Sequence, residues 1–220
     1  MMKTLLSLSF LLILNGIIAQ KNQLAQLKYK GGGDYYANPT SLKNLIGFCN
    51  SKLGTNLDEE YEYLEATDPQ LFTTPFVHIT GHGNILFTEE ERESLRNYLL
   101  SGGFIHIDDN YGMDKFVRTE IAKIFPDKEL KIVPSSHPIY QSPFELKQLP
   151  KIHEHDNKSP EGLGIFHEGE LILFYSYESD LSDGWEDPNI HQDPEDIRLL
   201  ALKMGANLIN YAFTRQLPKP

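Results

Sequence analysis

From residue 24 to residue 133, short apolar runs alternate with amphipathic stretches, which is the pattern of βαβ units packed around a mainly parallel sheet. The first run, residues 24–29, stops at Gly31-Gly32-Gly33. Asn38 then caps a helix that opens on Pro39 and carries Leu42, Leu45, Ile46, Cys49 and Leu53 on one face. Residues 61–64 form a weaker strand by aromatic and aliphatic content. Residues 76–80 form a stronger one that runs into Gly81-His82-Gly83-Asn84.

Thr88 followed by Glu91 is a capping box, since each side chain can satisfy the other's free backbone N–H. Glu89 and Glu90 fill the first turn of this helix, Leu95, Tyr98 and Leu99 share a face, and Gly102-Gly103 ends it. A buried strand over 104–107 delivers Asp108-Asp109-Asn110. Val117, Ile121 and Ile124 mark the next helix, closed by Pro126, and residues 130–133 give another strand before Ser135-Ser136-His137.

The style then changes. Residues 134–160 are irregular and proline-containing, and long connections of this kind often carry function. Residues 164–167 and 170–177 flank Glu168-Gly169, a two-residue turn that predicts an antiparallel hairpin at the edge of the sheet. The last helix starts at Asp193-Pro194 and aligns Ile197, Leu200, Ala201, Met204, Leu208 and Tyr211 along one side. The expected fold is an α/β domain with an open, mainly parallel sheet, helices on both faces and a late antiparallel hairpin.

The ends and the composition change the picture in three ways. Met1-Met2-Lys3, an apolar run from Leu5 to Leu14, and Ile18-Ala19-Gln20 read as an export signal over residues 1–19, with one domain over 20–220. The run is broken by Asn15 and Gly16 and is shorter than the ~20 residues of a membrane span, so cleavage and a periplasmic or secreted destination are expected, with no span left after cleavage. A net charge of −11 disfavours nucleic acid and anionic membrane surfaces, which are bound by lysine and arginine replacing counterions. The single cysteine, Cys49, has no disulfide partner and falls on an apolar helix face, so a buried core thiol is expected.

In open parallel sheets ligands bind at the carboxyl ends of the strands. Segments 31–34, 81–84, 108–110, 135–137 and 178–185 each follow an expected strand, so they should share one rim. The triglycine lacks the spacing of a dinucleotide fingerprint or a P-loop, and a close backbone approach explains it better. His82, between Gly81 and Gly83, is a candidate acid/base, with Gly83 and Asn84 as ligand-binding neighbours. Asp108 and Asp109 are candidate acids beside Asn110 and Tyr111; strand alternation sends one carboxylate to the rim and the other to a turn or helix N-terminus. His137 completes the candidate catalytic set. His153-Glu154-His155-Asp156 is the densest run of ligand-type side chains, and His153 and His155 are candidate ligands of a divalent metal that activates water, although the run matches no zinc motif. Trp185, the only tryptophan, either stacks on a flat ligand or plugs the acidic loop over 180–188 against the core.

Gly81-His82-Gly83-Asn84, the Thr88 helix, the stretch from Gly102 to Asp114, and His153-Glu154-His155-Asp156 with Asp183-Gly184-Trp185-Glu186-Asp187-Pro188 resemble a bacterial family of unknown function, over nearly all of the chain after the leader. That family is assigned to the class I glutamine amidotransferase-like superfamily, and residues 76–107 are similar to part of trehalose-utilization-type proteins. The resemblance implies a flavodoxin-like fold and no particular reaction. It argues against glutaminase chemistry, because Asp108-Asp109 occupies the turn where such enzymes carry a nucleophilic cysteine. Two functions fit the residues: a hydrolase-like or small-molecule-processing site built from His82, Asp108, Asp109, His137, His153 and His155 with a divalent metal, or a non-catalytic module that binds a carbohydrate or a protein partner in the cell envelope.

Overall fold

The computed structural model describes residues 22–215, so the expected leader lies outside the described residues. Chain order is β1 (Ala25–Leu27), α1 (Ser41–Leu53), β2 (Glu62–Leu64), β3 (Phe76–His82), α2 (Glu89–Leu100), β4 (Phe104–Tyr111), α3 (Asp114–Ile124), β5 (Lys131–Ile132), β6 (Glu161–His167), β7 (Glu170–Tyr177), α4 (Pro188–His191) and α5 (Glu195–Thr214). The strands form a seven-stranded sheet in the order β2-β1-β3-β4-β7-β6-β5. From β2 through β7 neighbours are parallel; β6 runs against both β7 and β5, so it alone opposes the others. Among the described residues no helix is long and apolar enough to cross a membrane.

Side chains alternate across a strand, so β4 feeds two cores. Ile105 and Ile107 pack with Leu95 and Leu99 of α2 and with Val117 and Ile121 of α3. Phe104 faces the other way, into the layer built by Leu42, Leu45 and Cys49 of α1 and Met204 and Leu208 of α5. Both faces of a parallel sheet must be covered in this way, and burying each such Leu or Phe side chain contributes roughly 2 kcal/mol. Cys49 is buried as expected, and burial pushes its thiol up to about 12. The capping box forms: Thr88 Oγ1 accepts from Glu91 N–H at 3.3 Å, and Glu91 Oε2 accepts from Thr88 N–H at 2.7 Å.

Four local expectations need correction. Asn38 does not cap α1, which starts at Ser41 after Thr40; Asn38 has a φ of 58° and spends its amide on distant polar side chains. The hairpin forms over Glu168-Gly169, with φ of 50° and 90°, but lies inside the sheet, because β7 pairs with β4 and leaves β5 as the edge. Asp108, Asp109 and Asn110 belong to β4 itself and not to a turn after it. Leu200 is partly exposed and does not join the buried residues of α5.

A histidine pair lies within the α1/α5 layer. His78 of β3 and His106 of β4 are cross-strand neighbours, fully buried, with their Nδ1 atoms 3.1 Å apart. His106 Nε2 is 2.9 Å from Ser176 Oγ, and that hydroxyl donates to Asp108. A hydroxyl has one proton to give, so the network assigns His106 Nε2–H as donor to Ser176 and His78 Nδ1–H as donor to His106. Desolvation holds both rings neutral: His78 is pushed down to about 3 and His106 well below the ordinary range, where the neighbouring His78 adds to the effect. The unfolded chain protonates these rings below about pH 6.5 while the folded one does not. Their contribution is therefore complete above pH 6.5 and is lost as pH falls, at up to about 1.4 kcal/mol per pH unit for each ring. In denaturant unfolding from pH 7 to 4, His78→Gln should lose less stability per pH unit than wild type, by up to about 1.4 kcal/mol; equal slopes in the two proteins would contradict a neutral buried pair.

Candidate functional site

The carboxyl end of β4 is organised by Asp108. Its side chain is fully buried and accepts from Leu181 N–H at 3.1 Å, Ser182 N–H at 2.6 Å, the Ser182 hydroxyl at 2.6 Å and the Ser176 hydroxyl. Burial nevertheless pushes the carboxyl up to about 7, against the lowering effect of these donors. Asp108 thus clamps the segment after β7 onto β4, and lies enclosed below the rim position expected from sequence.

One residue on, Asn110 is also buried. Its amide donates to Asp183 Oδ1 at 2.9 Å and to Asn38, and its carbonyl oxygen accepts from the Thr80 hydroxyl at 2.9 Å. Thr80 and Asn110 lie near the ends of β3 and β4, and Asn38 and Asp183 in the segments after β1 and β7, so this polar contact joins two strands and two loops. It occupies Asn110 completely, and a ligand-binding role for that side chain is not what the geometry provides. Trp185 is likewise fully buried: its Nε1–H donates to Ala201 O at 2.8 Å, and its ring meets His78 and His106 with centroids 5.3 and 5.6 Å away. It plugs the acidic loop against the core, one of the two roles that the sequence left open.

His82 behaves differently. Its imidazole is 53% exposed, and Nδ1 lies 3.1 Å from Asp34 Oδ2. Asp34 Oδ1 also accepts His82 backbone N–H, which fixes the carboxylate against the ring's own strand. Strand β2 lies on one side of β1 and β3 on the other, so the loops bearing Asp34 and His82 border a crevice where the chain reverses its direction of sheet building. The triglycine makes this approach possible: a Cβ on Gly33 would meet His82 O at 2.6 Å and Asn84 O at 2.7 Å. Gly83 takes a φ of 74° in the same loop, and Asn84 contributes its backbone carbonyl to Gly33 N–H at 3.0 Å.

Beside this crevice, Tyr111 pairs with His82 across the strands, is 52% exposed, and packs on His155 with ring centroids 4.7 Å apart. Tyr111 and His155 help line a cavity of about 340 Å³, a volume suited to a small ligand, together with Asp109, Lys115, Lys158 and Glu178. Asp109 accepts from Met113 N–H at 2.9 Å, before α3, and from the Tyr175 hydroxyl at 3.1 Å. Burial raises its pKa from the ordinary carboxylate range.

His155 touches Asp180, and Asp180 leads to His153. His153 Nδ1 lies 2.9 Å from Asp183 Oδ2 and 3.3 Å from Asp180 Oδ2, while its Nε2 lies 3.0 Å from Asp193 Oδ1. Hydrogen bonds to Asp180 and then Asp183 hold this imidazole up to about 10. His191 Nε2 stands 3.8 Å from the same Asp183 oxygen. A His/Asp cluster is therefore present, but His153 is joined in it by His191 and Asp183, and His155 stands one carboxylate away. Asp183 was visible only as part of an acidic loop, and His191 had no sequence signal, since α4 is a single unpatterned turn.

His137 is not brought to the rim. Its ring packs on Phe166 and Tyr211, and Tyr211 Oη accepts from Leu171 N–H at the opposite end of β7. The chain folds back over the sheet after Val133, which the strand assignment alone did not indicate. His137 instead accepts from Ile139 N–H at 3.2 Å within its own turn.

Residues 23–213 match the model of a domain of unknown function, DUF4159. The chain belongs to that family. The DUF4159 match contains every residue of the clamp, the crevice, the cavity and the His/Asp cluster. No curated protein matches the chain significantly.

Two substitutions test how this DUF4159 rim is assembled. Asp108→Ala leaves four buried donors without their acceptor and should cost about 3–5 kcal/mol in denaturant unfolding, with faster amide exchange over residues 178–187; a change below 1 kcal/mol would refute the clamp. Gly33→Ala should displace the His82 loop, seen as shifted His82 imidazole resonances, while the resonances of the distant His137 stay in place.

Proposed function

We propose that this DUF4159 chain is an exported small-molecule-processing protein of hydrolase type, acting at the carboxyl ends of its parallel strands. The observation that carries the reading is the exposed His82 imidazole held at Nδ1 by Asp34. A carboxylate on one ring nitrogen fixes the tautomer and orientation of the ring, which leaves Nε2 to take and return a proton. A polar cavity lined by Tyr111, the cross-strand neighbour of His82, together with His155 and Asp109, supplies room for a small polar ligand. Export rests on the leader-like residues 1–19, which imply a periplasmic or secreted site of action.

The strand order β2-β1-β3-β4-β7 supports kinship with flavodoxin-like, amidotransferase-like folds, in which ligands occupy the crevice beside the first strand. Cys49 cannot serve as a nucleophile there, because it is buried on α1. A second reading, a carbohydrate-binding module, is favoured by exposed Tyr111 at the cavity and weakened by the enclosure of Trp185.

A panel of p-nitrophenyl esters, phosphates and glycosides should reveal turnover of at least one class. His82→Ala should lower it by 100-fold or more, and Asp34→Asn by at least about tenfold, in line with loss of a positioned acid/base. Turnover unchanged in His82→Ala would overturn the assignment, and saturable oligosaccharide binding without any turnover would favour the second reading.

A further inference from the structure

We propose that His153, Asp183 and His191 bind one divalent transition cation, with Asp193 orienting His153 from outside the coordination shell. One ring nitrogen from each histidine and one Asp183 oxygen lie within 4.8 Å of one another. A zinc-like ion with bonds near 2.1 Å needs its ligands about 3.4 Å apart, as in a tetrahedral site. His153 Nδ1 and Asp183 Oδ2, at 2.9 Å, need to part by about half an ångström, and His191 Nε2, at 3.8 Å, to move a few tenths of an ångström toward Asp183. That adjustment is easy, because His191 sits at the end of the four-residue α4 and is exposed.

Two independent features point the same way. With Nδ1 on the cation, His153 presents Nε2–H to Asp193 Oδ1 at 3.0 Å, the carboxylate–histidine–metal arrangement that fixes ring orientation in metalloproteins. Asp180 is almost completely buried beside the cluster, with Oδ2 on His153 and His155, and its Oδ1 meets no donor. An enclosed carboxylate immediately beside the cluster favours a cation there. Two imidazoles with one carboxylate select a borderline transition ion over calcium or magnesium, which take oxygen ligands.

The site does not depend on the hydrolase reading, since binding is measured without turnover. Titration of the untagged protein with Zn²⁺ should give one tight equivalent, and Co²⁺ in its place should give visible bands of a low-coordinate nitrogen and oxygen environment. His191→Ala, on an exposed turn, should keep its circular dichroism spectrum and weaken binding more than about 100-fold, whereas Asp193→Asn should weaken it by about 10–100-fold as an outer-shell loss. Wild-type protein without a stoichiometric site, or His191→Ala binding as tightly as wild type, would overturn the proposal. Zinc binding without turnover on any substrate would leave the cation site standing and remove only the hydrolase reading.

Discussion

A buried carboxylate, Asp108, accepts hydrogen bonds from two backbone amides and one hydroxyl of the segment after β7, and from the Ser176 hydroxyl of β7 itself. A charge or a partly protonated acid in so dry a position is costly unless its lone pairs are filled, so the segment must return to the strand end in one conformation. That requirement sets the path of residues 178–187, including the left-handed backbone at Glu178 and Asp180. Strained φ values at non-glycine residues persist only where the surroundings overdetermine them. Here the Asp108 clamp and the buried Trp185 plug do so from two sides.

Once that loop is seated, the remaining polar groups fall into place along the rim. Asp183 is carried to Asn38 and Asn110, Asp180 to His153 and His155, and α4 brings His191 alongside. Beneath them, the neutral His78–His106 pair and Ser176 continue the hydrogen-bonded chain into the core. The result divides labour: buried polar groups hold the geometry, and partly exposed groups such as His82, Tyr111 and His155 face the cavity and crevice. Sequence reading gave Asp108, Asn110 and Trp185 chemical roles because their residue types suit them, whereas burial turns those same side chains into supports.

Binary patterning, the capping box and the glycine stops determined most of the architecture: the parallel core strands, α1 to α3, α5, the hairpin turn and the core thiol were all legible, because each depends on local period or local backbone geometry. The gathering of segments 31–34, 81–84, 108–110 and 178–185 at one rim was legible too, since parallel strands put their carboxyl ends together. What only the tertiary structure decided was depth and partnership. Strand β4 extends past Ile107 because β7 pairs with it as far as Asp108 and β3 as far as Tyr111, the chain after Val133 turns back and carries His137 to the other end, and His191 meets His153 through a turn with no pattern of its own. Those outcomes depend on contacts between residues tens of positions apart, to which local periodicity is blind; whether a polar side chain is a support or a reactive group follows from how much of it the rest of the chain encloses.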